Sequence, residues 1–275
     1  FASAASIDDL TFSLINEGSE YAVTACDTAA TGSLDIPATY EGKPVTQIGE
    51  YAFRNCSLLT SISIAEGITI IEMGAFQSCT GLTAISLPDS VIEIGDRAFY
   101  ICRALVSISI PNGVTTIGEY TFSSCTSLIS ITIPEGVTEI SKDAFSGSDK
   151  IASIVLPSTL TSIGESAFKN CKALTSMNIP VSVTSIGNSA FDNCKALTSV
   201  SIPEGVTSIG ERLFSGCSAL TSVSLPESLT EIGDRAFYAC NALTSISIPK
   251  SVTSIGVSAF VACFELTSMT LPEGL

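Results

Sequence analysis

The sequence contains no histidine and no tryptophan. Without His, the commonest general base and the commonest metal ligand are both missing. Charge is scarce and one-sided: 14% of the 275 residues are charged, and 27 acidic side chains outnumber 12 basic ones for a formal net −15. Such a surface repels phosphate backbones, which excludes nucleic acid as a partner. Long apolar runs are absent too. Ser, Thr or a charged residue interrupts each run well short of the ~20 residues that a spanning helix needs, so no transmembrane segment is expected. The 45% hydrophobic share therefore supplies a core, and disorder is excluded. There is no initiating Met, Ala2-Ser3-Ala4 resembles the small-residue end of a signal sequence, and Leu275 falls inside a repeat. These features give the expectation of a longer natural protein.

What is present is a period. Ile48, Ile71, Ile94, Ile117, Ile140, Ile163, Ile186, Ile209, Ile232 and Ile255 recur every 23 residues without insertion, and so do the Phe residues from Phe53 to Phe260. A representative unit, Ile186 to Ser208, reads IGNSAFDNCKALTSVSIPEGVTS. Its inward set is Ile186, Ala190, Phe191, Cys194, Leu197, Val200, Ile202 and Val206. Val200 and Ile202 alternate along a short strand, since alternate strand residues share a face. Pro203 lacks an N–H and helps end that strand. Glu204-Gly205 turns the chain, and a second short extended segment runs from Val206 to the next Ile. The A-F-x-x-C stretch is too short for an independent helix; one tight helical or 3₁₀ turn is expected there. No single unit can bury these groups alone, so stacking must create the core.

The repeated pattern I-G-x-x-A-F-x-x-C-x-x-L-T-S-I-x-I-P-x-x-V-T-x resembles the BspA-like class of leucine-rich repeats, over residues 48–275. Ser33-Leu34-Asp35-Ile36-Pro37 mimics the strand-Pro element, and Tyr40 to Val45 leads into the first Ile-Gly. The expected fold is a β-rich α/β repeat: a right-handed leucine-rich-repeat solenoid with short parallel strands and little α-helix. Residues 1–47 form an N-terminal β-type cap, and residues 48–275 hold ten repeat starts, the last truncated. The resemblance implies a cell-surface or secreted adhesion protein of bacterial type. A host or matrix protein or glycan is then the expected partner, although fold alone does not fix function.

Ten cysteines invite a metal or redox reading. Cys56, Cys79, Cys102, Cys125, Cys171, Cys194, Cys217, Cys240 and Cys263 share one repeat position, and Cys26 stands apart. No C-x-x-C pair or His completes a zinc site. The expectation is a ladder of reduced, buried thiols acting as small apolar filler. Neighbouring rungs lie near disulfide distance at ~5 Å, but a uniform ladder disfavours the rotated geometry of a bridge. Acids recur after the Ile-Gly step (Glu50, Asp96, Glu119, Glu165, Glu211, Asp234) and after the strand Pro (Asp89, Glu135, Glu204, Glu227, Glu273). Solvated turn residues, a calcium ladder and a catalytic acid pair are the three readings, the first preferred because a catalytic site departs from a repeat rather than recurring in it. No catalytic residue, metal site or cofactor is assigned.

Two surfaces remain as binding candidates. Thr175, Ser176, Asn178, Thr198, Ser199, Ser201, Thr221, Ser222 and Ser224 flank the inward strand residues and should line the open sheet face. Either they form a polar coat or a polar binding surface that gains strength from repetition; the face lacks the Tyr, Trp and Arg that anchor most hot spots. One unit breaks the pattern, with Ser141 for Gly, Ser148 for Cys, Ile151 for Leu and Val155 outward. Lys142 and Lys150 lie in it, and Lys169, Lys172 and Lys195 follow, making the one basic concentration. It reflects neutral variation or a contact for an acidic partner. The function expected is a non-enzymatic extracellular binding or adhesion module, the alternative being a spacer that presents another domain.

Overall fold

The computed structural model describes residues 4–273. It is a β-solenoid in which a 23-residue coil typically adds two short strands and one turn segment; in the coil of Ser107 one of the two strands is reduced to an isolated bridge to Ala84. The only helical elements among the described residues are 3₁₀ turns at Ile7–Asp9 and Asn16–Gly18. In one stack, Ser176–Met177, Ser199–Ser201 and Ser222–Ser224 run parallel in unbroken register: Ser199 faces Ser222, Val200 faces Val223 and Ser201 faces Ser224. In the second stack the strands are two residues long and end on the repeat Ile, as where Ile163 faces Ile186. With a fixed period, each residue lies beside its own equivalent. Val200 is buried while Ser199 and Ser201 are exposed, the alternation that a one-sided sheet requires.

The chain enters through β1 (Leu10–Ile15) and β2 (Glu20–Cys26), an antiparallel pair. Four further strands complete this region: β3 (Gly32–Ile36), β4 (Thr39–Tyr40), β5 (Lys43–Ile48) and β6 (Leu59–Ile64). β2 pairs parallel with β5, and β3 pairs parallel with β6, Leu34 facing Ile62 and Ile36 facing Ile64. The segment around Ile36-Pro37 therefore extends the repeat register backwards by one coil. Phe12 stacks on Tyr40 at 4.0 Å, with Tyr21 edge-on to Tyr40 at 5.1 Å, so aromatic rings flank the first coil.

All eight inward residues expected of the Ile186 unit are buried. At the centre, the Phe rings stack from Phe53 to Phe260 with centroids 5.0–5.5 Å apart. That spacing is close to the ~4.8 Å between strands, so rings and backbone share one repeat distance. A fully buried Phe contributes about 1.5–3 kcal/mol.

The A-F-x-x-C segment is neither an α-helix nor a 3₁₀ helix, contrary to expectation. Its N–H groups alternate in direction. Ala190, Asp192 and Cys194 donate within their own coil, to the carbonyls of Gly187, Ser189 and Phe191. Ser189, Phe191 and Asn193 donate to Glu211, Leu213 and Ser215 in the next coil, at 2.7–3.0 Å. A helix would turn every N–H inward along its own axis and leave no bond between coils. The alternation requires left-handed backbone at two positions per coil, Ser189 (φ 57°) and Asn193 (φ 61°) in this unit.

Candidate functional site

The parallel register places the nine predicted sheet residues side by side, all exposed. They divide into two kinds. The hydroxyls of Thr175, Thr198 and Thr221 donate to the carbonyls of Ala152, Thr175 and Thr198 at 3.4, 3.2 and 3.0 Å. Those threonines staple one coil to the preceding one. Ser176, Asn178, Ser199, Ser201, Ser222 and Ser224 have no side-chain partner among the described residues. Together with the edges of Met177, Val200 and Val223 they line a shallow open depression of about 440 Å³. On the same face, one to three coils nearer the N-terminus, Val155, Ile129 and Val106 are exposed where most other coils carry Ser, Thr or Asn.

The basic concentration is largely paired. Lys169 lies 3.5 Å from the buried carboxylate of Asp192, Lys172 lies 3.7 Å from Asp149, and Lys142 lies 3.2 Å from Glu165. Each pair spans one coil. Glu165 also raises the Lys142 pKa, first through that hydrogen bond. Among the described residues Lys195 and Lys150 make no ion pair.

Three of the eleven recurrent acids, Asp96, Asp234 and Glu135, accept backbone bonds from the next coil. Asp96 accepts from the backbone N–H of Glu119 at 2.7 Å, Asp234 from Val257 at 2.6 Å, and Asn188 does the same for Glu211 at 3.0 Å. Glu135 accepts from the Ser158 N–H and hydroxyl. These side chains bind the next coil instead of merely facing water.

The thiols are also more than filler. Cys79, Cys102, Cys125, Cys171, Cys194, Cys217, Cys240 and Cys263 each donate to the carbonyl of the Phe in the preceding coil, at 3.0–3.4 Å. Ser148, the one substitution in the ladder, makes that bond to Phe122 at 2.7 Å. Both residue types found at this position, Cys and Ser, are small and have a proton to give. All ten cysteines are free thiols. Burial pushes Cys125 up to about 12, so it is no nucleophile near neutrality.

Sequence reading missed a third surface. Of six Tyr and five Arg, four of each fall in the turn segment, at the positions two before and one after the repeat Phe. Arg54 lies over Tyr51 at 5.4 Å and Arg97 over Tyr120 at 4.7 Å, while Tyr100 meets Tyr120 edge-on at 6.1 Å. Further along, Arg212, Arg235 and Tyr238 border an open depression of about 480 Å³. Tyr51, Arg97, Tyr120, Arg212 and Arg235 all have φ of 54–58°, a region that favours Gly or Asn. The backbone does not call for Tyr or Arg there. Aligning the units by column would have revealed this pattern; reading one representative unit did not, because that unit has Ser189 and Asp192 in these places.

No curated protein matches the chain. Solved structures do. A leucine-rich cell surface protein from Faecalibacterium prausnitzii is 29% identical, with a TM-score of 0.64 over 95% of this chain and 93% of its own. A leucine-rich repeat protein from Bacteroides ovatus is 28% identical, with a TM-score of 0.52 over 98% and 88%. The pneumococcal vaccine antigen PcpA, 20% identical with a TM-score of 0.67 over 100% and 82%, shares the fold. The BspA type leucine-rich repeat region matches residues 46–175 and 161–275 in six copies, and the chain therefore belongs to the BspA-type leucine-rich repeat family.

Proposed function

We propose that this chain is an extracellular, cell-surface binding module that adheres to a host or matrix protein or glycan through its open sheet face. Residues 1–47 serve as the cap and residues 48–275 as the array. The observation that carries this reading is the set of six unpartnered side chains, Ser176, Asn178, Ser199, Ser201, Ser222 and Ser224, in register around a shallow depression. A flat field of free hydroxyls and one amide suits polar contacts that are weak singly and gain by repetition. The threonines belong to the scaffold. A surface address is supported by the F. prausnitzii relative, which is described as a cell surface protein. A non-enzymatic role is supported by the commitment of the thiols, and of Asp96, Glu135 and Asp234, to bonds between coils.

The test is binding of the whole chain to panels of matrix proteins and glycans, comparing wild type with a Ser199→Lys, Ser222→Lys double variant. Both changes point outward, so stability should move by less than about 1 kcal/mol, while binding by the sheet face should be lost. Lys172→Glu with Lys195→Glu reports on the basic group. Retained binding in the Ser variant removes the sheet face, and no binding by wild type supports the spacer.

A second reading rests on the turn edge. Arg and Tyr are hot-spot residues, and here they occupy backbone positions that disfavour them. In this reading the partner sits on Arg97, Tyr100 and Tyr120.

A further inference from the structure

Cys56 is the first rung of the thiol ladder, and it differs from those that follow. No repeat Phe precedes it to supply a carbonyl. Its sulfur lies instead 3.8 Å from the carbonyl oxygen of Cys26 and 3.9 Å from that of Asp27. The Cys26 sulfur lies 3.6 Å from the same Asp27 oxygen. Two thiols 30 residues apart thus converge on one carbonyl, in contacts longer and looser than the 3.0–3.4 Å of the later rungs. Cys26 ends β2 and keeps solvent access, whereas Cys56 is buried. Their ionisation reflects the proximity: the hydrogen bond between the two thiols favours the thiolate of one of them while the other keeps its proton. Among the other seven buried rungs only Cys240 also adjoins a partly exposed thiol, Cys263, and there each thiol has its own acceptor, Cys240 the Phe214 carbonyl and Cys263 the Phe237 carbonyl.

We infer that Cys26 and Cys56 form a redox pair, oxidised by exchange with an external disulfide into a bridge that ties β2 to the first coil. The reaction enters at Cys26, the accessible sulfur. Cys26 loses its proton to solvent and attacks one sulfur of the external disulfide; a thiolate leaves, and a mixed disulfide remains. The Cys56 thiolate then attacks the Cys26 sulfur and expels the second thiolate. Two protein thiols are oxidised to one disulfide, one external disulfide is reduced to two thiols, and the two protein protons end on the leaving groups. The bridge closes a 30-residue separation, which restricts the unfolded chain, and it does so at an end of the solenoid, where opening begins most readily.

The experiment uses the whole native chain and oxidised glutathione. After blocking free thiols, the protein is digested without reduction and mapped by mass spectrometry. The expected product is one linked Cys26–Cys56 peptide, with the other eight cysteines unlinked. In Cys56→Ser, which keeps a small hydroxyl donor as Ser148 does, glutathione should stay attached to Cys26. Oxidised wild type should melt several degrees above reduced wild type, and Cys26→Ala should show no such difference. A glutathione adduct that persists on Cys26 in wild type, a bridge between any other pair, or no reaction at all would each overturn the inference.

Discussion

The Cys194 thiol donates to the carbonyl oxygen of Phe168 across one coil boundary, at 3.2 Å. That carbonyl also receives the Cys171 N–H at 3.1 Å, so the thiol adds a second bond to an oxygen already used once. A shorter O–H donor fits equally, because Ser148 holds Phe122 at 2.7 Å. Cys194→Ser should therefore change stability by less than about 1 kcal/mol, the range of one ordinary hydrogen bond. Cys194→Ala removes the donor and leaves a small void, and should cost about 1–2 kcal/mol. Urea denaturation of the two variants decides: equal losses would mean that volume alone matters at this rung.

Phe191 stacks at 5.5 Å on both Phe168 and Phe214 and is fully buried. Phe191→Ala should cost about 3–5 kcal/mol. Because each coil contacts only its neighbours, the loss should be local and broaden the unfolding transition. Hydrogen exchange would show increased opening of the coils next to residue 191. A uniform loss of protection along the whole array would contradict this picture.

The carboxyl of Glu72 is raised above its ordinary value, first by burial and then by the charges of Glu93 and Glu50. A folded carboxyl that holds its proton more tightly than the unfolded one makes the folded state lose stability as pH rises through that raised value. Glu72→Gln should thus raise the melting temperature at pH 7, and the gain should disappear in acid, below the ordinary carboxylate range. Melting curves from pH 3 to pH 8 would reveal it; a gain that persists at pH 3 would assign the effect to something other than charge.

The sequence foretold the period, the inward set and both strand stacks because all three depend on spacing alone. Phe191, Cys194 and Val200 had to point inward in any stack of 23-residue units. The turn segment was different. Its conformation is decided by bonds between coils, as where Phe191 N–H reaches Leu213, and no local propensity encodes that partner. The donor role of Cys194 was hidden for the same reason: its acceptor lies 26 residues away. For the sheet face, exposure was legible, but the division between stapling Thr198 and free Ser199 appears only when carbonyls are placed. The Tyr and Arg edge was in the letters throughout, scattered over five units, and became a surface only when Arg97 and Tyr120 met at 4.7 Å.

That edge allows binding and stability to be separated. Arg97 (φ 58°) and Tyr120 (φ 56°) occupy left-handed backbone, while their N–H groups bond to the carbonyls of Glu119 and Lys142 at 2.8 and 3.1 Å. Glycine can keep both bonds. Relief of the left-handed strain is worth roughly 1–2 kcal/mol per residue. Against it stand about 0.5–1 kcal/mol of glycine chain entropy at each site and about 0.5–1 kcal/mol for the lost cation–π contact. The terms nearly cancel, so Arg97→Gly with Tyr120→Gly should leave the melting temperature almost unchanged or slightly higher. If a partner uses the turn edge, its affinity should fall at least about tenfold, since such anchors commonly carry more than 1 kcal/mol each. The Ser199→Lys, Ser222→Lys variant, measured against the same ligand, should then bind as wild type does. If the partner uses the sheet face the two results exchange places, and titration calorimetry of the three proteins with one ligand distinguishes the surfaces.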